Sequence, residues 1–326
     1  MVYPFDLTKR PDGYEPLASE PHFDPSKHLQ LEKPSELFAL SDFGYDAAEI
    51  AQSPTNFGAT SVFRVLSDEG AEVLYDVCKQ LESFTTSNPR ISRNTRGGVY
   101  RSKFLRELCL SIDVADWMSE LAGLDLMPHT IPHQLGHLNY NPKEVGEDVD
   151  KWHVDTLRYD YVMFVTDPTK VQGGAFQYFK GTKHEMGALS KAGLTAPLNR
   201  VIAPKMPGPG YAVLMQGNMV VHQAKGLTAP GERITMVNGY VPKDARIPDY
   251  TRYDQLVFAD PAHVVTSEFM RHMAFEGVRR LNQSVEDLSF TTNREAYANE
   301  LEALAARLKD AASDIRNSDN AEMEHF

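Results

Sequence analysis

The residues best placed to do chemistry are His153 and Asp155, in Lys151-Trp152-His153-Val154-Asp155-Thr156, read together with His222 in Val220-Val221-His222. In an extended strand successive side chains point to opposite faces, so His153 and Asp155 share one face. Two imidazoles and a carboxylate converging from such a face form a three-point grip on a divalent cation, with the opposite coordination positions left open. That donor set, with open positions, suits Fe(II) and O2 chemistry.

A fourth residue turns three ligands into a pattern. Arg233 follows His222 by eleven positions, inside Pro230-Gly231-Glu232-Arg233-Ile234-Thr235. A strand carrying His222, a turn at Ala229-Pro230-Gly231 and a return strand carrying Arg233 predict a hairpin that brings a guanidinium to the metal, where it can take a carboxylate through two hydrogen bonds. With His-x-Asp, a long gap, His and then Arg, the sequence resembles the Fe(II)/2-oxoglutarate-dependent dioxygenase superfamily. The resemblance spans roughly residues 130 to 242, and Gly173-Gly174-Ala175-Phe176 and Gly181-Thr182-Lys183-His184 add likeness to its phytanoyl-CoA-hydroxylase-like and free-amino-acid-hydroxylase branches.

It implies His153, Asp155 and His222 as iron ligands and catalytic centre, with Arg233 and Thr235 holding the distal carboxylate of 2-oxoglutarate. Fe(II), 2-oxoglutarate and O2 would be the cofactors and cosubstrates. The implied reaction is hydroxylation of a small polar metabolite, an amino acid or natural-product intermediate, with release of succinate and CO2; desaturation and ring closure remain open. Halogenating relatives carry a small residue where Asp155 stands here, so chlorination is not expected. The alternatives are a non-catalytic jelly-roll protein that binds a metal or 2-oxo acid, and a cupin-like metalloenzyme that does not use 2-oxoglutarate. Taken singly, His-x-Asp reads equally well as a structural pair and His222 as a core histidine. His184 and Glu185 form a residual alternative metal pair.

Around this set the chain predicts α+β architecture with a mainly β core. Short β-rich runs punctuated by Gly and Pro, at 134–140, 159–166, 176–179, 210–217 and 233–241, point to a double-stranded β-helix, the jelly roll, with flanking N- and C-terminal helices. Residues 1–55 form an arm without sustained periodicity that could help build a homo-oligomer, and 56–326 a single domain. Ser67 caps a helix over 68 to 84, a second is expected over 102 to 121, and helices over 252 to 320 close the chain with Leu301, Leu304 and Leu308 as an apolar stripe.

Within the 134–140 strand, alternation puts His137 and Asn139 toward the barrel interior: Asn139 is a candidate donor to 2-oxoglutarate or substrate, and His137 a pocket wall or ligand. The basic island at 90 to 101, with Arg96 as a substrate candidate, reads either as a loop closing over the site or as a solvated surface loop. Along the return strand Arg233, Thr235, Val237 and Gly239 share a face. Asn238 and Tyr240, substrate-adjacent by analogy with the amino-acid hydroxylases, fall on the other.

Composition excludes other classes. A net charge of −12 over 326 residues argues against nucleic-acid binding. No apolar run reaches membrane-spanning length and the start lacks a signal-peptide layout, so a soluble cytoplasmic protein with a small-molecule substrate and no membrane partner is expected. Cys78 and Cys109, the two cysteines, are expected as buried free thiols.

Overall fold

Strands alternate between two sheets as the chain proceeds. In the computed structural model, which describes residues 3–287, 289–290, 292–318 and 326, His137–Tyr140 lies in a large sheet, Asp150–His153 in a four-stranded one, and Tyr159–Phe164 returns to the large sheet. Phe176–Phe179 and Val201–Ile202 then join the small sheet, Tyr211–Met215 the large, His222–Ala224 the small and Ile234–Pro242 the large. All these pairings are antiparallel. This alternation is the jelly roll expected from the sequence, and it places the metal candidates on the small sheet with Arg233 opposite them.

The Ile234–Pro242 strand sits centrally between Tyr159–Phe164 and His137–Tyr140. Its alternation holds as predicted. Thr235 and Val237 face the chamber between the sheets, while Ile234, Met236 and Tyr240 join the core under the outer helices.

Two expectations need correction. The His222 and Arg233 strands do not form a hairpin, because His222–Ala224 pairs with Asp150–His153 and Phe176–Phe179, whereas Ile234–Pro242 belongs to the other sheet. The intervening residues cross the barrel, and Arg233 reaches the site from the facing wall. The helix expected over 102 to 121 is two, Lys103–Cys109 and Ile112–Ala122, since Ser111 breaks the first and caps the second by accepting from the Val114 N–H.

The helix beginning after Ser67 runs Asp68–Leu81, with Ser67 Oγ accepting from Gly70 N–H and Asp68 and Glu69 at its positive end. Ala71, Leu74, Val77, Cys78 and Leu81 face the large sheet. Each fully buried aliphatic there stabilises by about 1.5–3 kcal/mol relative to exposure. The N-terminal arm is more structured than expected: Leu37–Ala39 pairs with Phe57–Thr60, which extends the large sheet beyond Tyr211–Met215, so the β core reaches back well before residue 130.

The C-terminal helices are Tyr253–Ala259, Ala262–Glu286 and Arg294–Asn317; residues 288, 291, 319 and 320 of the expected region lie outside the described ones. Their packing differs from expectation. Ala311, with Ile315 beside it, joins Ile131, Tyr253, Leu256, Val265, Phe269 and Met273, whereas Leu301 is 61% and Leu308 42% exposed. Among the described residues no helix is long and apolar enough to cross a membrane. Cys78 and Cys109 are buried and free.

Candidate metal and carboxylate site

His153 and His222 stand opposite one another in register on neighbouring strands of the small sheet, with ring centroids 4.1 Å apart. Each imidazole is fixed by its own backbone: His153 Nδ1–H donates to Lys151 O at 2.6 Å and His222 Nδ1–H to Val220 O at 2.9 Å. A carbonyl can only accept, so these bonds select the tautomer that leaves Nε2 with a free lone pair. Both Nε2 atoms converge on Asp155, His153 Nε2 at 3.5 Å from Oδ1 and His222 Nε2 at 3.1 Å from Oδ2. One ligand atom from each of the three residues lies within 4.8 Å of the others. Asp155 falls just beyond the end of the Asp150–His153 strand, yet its N–H to Gly217 O bond, at 2.9 Å, holds the geometry that strand alternation predicted.

The electrostatics suit a cation. Burial would raise Asp155, but His222 and His153 hold its carboxyl well below the usual range; burial lowers His153. Behind the triad Asp160 is fully buried with neither carboxyl oxygen hydrogen-bonded in normal geometry. Burial first, and the Asp155 charge second, push it well above the usual carboxylate range.

Opposite the triad, Arg233 is 1% exposed. Its Nε–H donates to Gly174 O at 2.7 Å, Nη1–H to Thr235 Oγ1 at 3.3 Å, and its guanidinium lies 5.1 Å from the Phe164 ring centre. Nη2 has no partner, and burial, unrelieved by any anion among the described residues, pulls the group down to about 10. Gly174 is what admits it: at φ 71° the backbone turns its carbonyl to Arg233, and a Cβ there would stand 3.0 Å from Arg233 Cδ and 2.8 Å from Leu227.

The same chamber is lined by Asn139, His137 and Arg96. Asn139 Oδ1, His137 Nε2 and Arg96 Nε are buried without partners, so four orphaned polar atoms, counting Arg233 Nη2, belong to residues lining one cavity. Buried polar atoms in native proteins are almost always satisfied, so these atoms call for polar partners in the chamber, water or ligand. His137 stays neutral, burial holding it well below its ordinary value. Arg96 pairs with Asp260 at 3.1 Å, which ties the basic island to the segment between the C-terminal helices.

The structure does not bring Asn238 to the chamber. Its Oδ1 accepts from Gly136 N–H and its Nδ2–H donates to Cys109 O, on the outer face of the strand. His184 and Glu185 likewise separate, to Glu49 and Arg200. Of the histidines at 129, 133 and 137, only the last lines the chamber; His129 stacks on His272, and His133 bonds Glu268 at 2.8 Å.

Two residues at the candidate site were not singled out by the sequence. Arg90 Nε bonds both Asp150 oxygens, at 2.9 and 2.8 Å, and its Nη2 lies 3.6 Å from Asp155 Oδ1. Asp150 Oδ2 is itself 3.5 Å from His153 Nε2. Strict alternation would set Asp150 and His153 on opposite faces, but the register shifts between His222 and Ala224, and this irregularity swings Asp150 toward the site. The basic island signalled Arg90 as a member; nothing in the sequence signalled Asp150.

No family model and no curated protein matches the chain. Among solved structures, it is similar to EctD from S. alaskensis with 2-oxoglutarate and 5-hydroxyectoine, at 17% identity and TM-score 0.44, covering 71% of this chain and 87% of that one. It is also similar to the non-heme alpha ketoglutarate dependent epimerase SnoN from nogalamycin biosynthesis, at 14% identity and TM-score 0.44, over 57% of this chain and 79% of that one. HygX from Streptomyces hygroscopicus with nickel and 2-oxoglutarate bound aligns at 14% identity and TM-score 0.42, over 57% and 83%.

Proposed function

We propose that this chain is a non-haem Fe(II)- and 2-oxoglutarate-dependent oxygenase that hydroxylates a small polar metabolite. The observation that carries the proposal is Arg233: a buried cation with an unpartnered Nη2 and, among the described residues, no anion, on the wall facing a His-Asp-His cluster. A buried charge without a counter-ion costs several kcal/mol, and a carboxylate ligand at that place removes the cost.

In this reading His153, Asp155 and His222 hold iron through Nε2, a carboxyl oxygen and Nε2. Arg233 and the Thr235 hydroxyl take the distal carboxylate of 2-oxoglutarate, and Asn139 supplies a further polar contact. Bound together, iron and cosubstrate supply oxidative decarboxylation of 2-oxoglutarate by O2, giving succinate, CO2 and the means to oxidise a C–H bond. The protein's part is placement and dryness. Leu157, Val162, Phe176 and Val237 line the chamber and limit water, while the Nδ1 bonds to Lys151 and Val220 carbonyls keep both imidazoles aimed.

The test is a metabolite pool incubated under air with the Fe(II)-loaded protein and 2-oxoglutarate, following succinate and any compound that gains the mass of one oxygen atom. Wild type is expected to couple the two, and Asp155→Ala to lose both while its circular dichroism stays native. Tight 2-oxoglutarate binding with no O2-dependent succinate from any pool would make the protein a binder; no 2-oxoglutarate binding at all would overturn the assignment of Arg233.

A further inference from the structure

A second cavity adjoins the chamber just described. Val154, Asp155 and Thr156 line both, so the segment bearing the metal carboxylate is the wall between them. The inner chamber has about 90 Å³ of room and the outer cavity about 280 Å³. Only the outer one approaches the size of a metabolite site.

Its lining is cationic. Arg158 is 3% exposed, its Nη2–H donates to the Pro248 carbonyl at 3.0 Å, and its guanidinium lies 4.4 Å over Tyr250; its Nε is buried and unpartnered. Lys183 opens the Lys183–Lys191 helix, and its Nζ touches the Asn218 carbonyl at 3.3 Å and Met219 Sδ at 3.4 Å. Burial first and the Arg158 charge second pull Lys183 below its ordinary value, with Glu49 offsetting in part. Among the described residues neither cation has a carboxylate within ion-pair distance. The cavity's carboxylates are committed elsewhere: Asp155 to His153 and His222, and Glu49 to the Asp46 N–H and His184. Arg252, which also lines the cavity, is paired with Asp254.

We infer that Arg158 and Lys183 form the recognition site for an oxyanion, a carboxylate or phosphate, carried by the substrate. This rests on the reading of Asp155 as a metal ligand, since that residue is what makes the adjoining cavity a substrate site. Two uncompensated cations in a chain of net charge −12 are a local exception that draws an anion to this mouth and away from the rest of the surface. Arg158 offers a planar fork and Lys183 a point charge, and both suit an oxyanion. With its anionic end held there, the rest of the substrate extends past Asp155 toward the iron side of the wall.

The experiment uses the whole chain loaded with Mn(II) and 2-oxoglutarate, so that nothing turns over, and titrates inorganic phosphate, benzoate and neutral benzamide by calorimetry. Wild type is expected to bind at least one anion and not benzamide. Arg158→Gln and Lys183→Gln should each weaken that anion about tenfold to a hundredfold, as loss of one charged hydrogen bond predicts, with 2-oxoglutarate affinity unchanged. Preference for benzoate identifies a carboxylate, preference for phosphate a phosphate. Should Arg158→Gln fail to fold, Lys183→Gln decides alone. Neither anion binding wild type, or both variants binding as wild type does, would overturn the inference. Wild type that binds the anion but not 2-oxoglutarate would instead sink the oxygenase reading and leave the anion site standing.

Discussion

Replacing Arg233 with Met separates a ligand-binding role from a structural one, because the two roles predict opposite signs. In the free protein the guanidinium is buried with no anion among the described residues and held at about 10, against an ordinary value above about 12. At about 1.4 kcal/mol per pH unit, keeping it charged costs the fold about 3 kcal/mol. Its bonds to Gly174 O and Thr235 Oγ1 return about 1 kcal/mol each. Arg233→Met, similar in length and neutral, should therefore be neutral to about 1 kcal/mol more stable in urea unfolding without ligand. With ligand the sign reverses. Losing one partner of a buried, hydrogen-bonded charge pair costs about 2–5 kcal/mol, so the 2-oxoglutarate Kd should rise by about thirtyfold to several thousandfold in anaerobic calorimetry with Fe(II). A variant that loses more than about 2 kcal/mol of stability while its Kd stays within about threefold of wild type would refute the reasoning and make Arg233 a structural residue.

Three further outcomes follow from contacts around the site. Gly217→Ala puts a Cβ 2.6 Å from Asp160 Oδ2 and 3.0 Å from Asp155 Oδ2, so Mn(II) affinity measured by calorimetry should fall at least tenfold while the fold survives; unchanged affinity would mean Asp155 is not a ligand. Arg90→Met strands Asp150 in its buried position and should cost about 3–5 kcal/mol in urea unfolding, most of it recovered in an Arg90→Met/Asp150→Leu double variant; a single-variant loss under about 1 kcal/mol would contradict the pair. Burial lowers His129 to about 3, so below its unfolded value of about 6.5 the unfolded chain takes up a proton that the folded one refuses. Stability should be fully present above that value and fall by up to about 1.4 kcal/mol per pH unit as pH drops from about 6.5 toward 3; His129→Gln should flatten that part of the unfolding profile, and an unaltered slope would show that the group is not held neutral.

The parts of this site that were legible in the sequence are those set by local periodicity. His153 and Asp155 share a face because side chains alternate along an extended chain, and Thr235 and Val237 fell to the chamber, and Asn238 away from it, for the same reason. What the sequence could not carry was long-range pairing. The Pro230-Gly231 turn is compatible with a hairpin or with a crossing between sheets, and the choice is made by which strands are free to pair: His222–Ala224 is already flanked on both sides, by Asp150–His153 and Phe176–Phe179, and has no edge left for the Arg233 strand.

That exclusion shapes the candidate chemistry. Were Arg233 on a strand next to His222, its guanidinium would stand beside the ligands and compete for Asp155, much as Arg90 Nη2 does at 3.6 Å. On the opposite wall it faces the cluster across a chamber lined by Phe176, Val162 and Val237, which in the proposed reading 2-oxoglutarate spans with its distal carboxylate on Arg233 and its other end toward the His-Asp-His cluster. Arg158 and Lys183 lie beyond Asp155, on the far side of the wall that this segment forms. In the proposed reading the fold thus keeps Arg233 apart from Arg158 and Lys183 by placing Asp155 between them, so that a cosubstrate bound at the first would leave the other two free for a second anion.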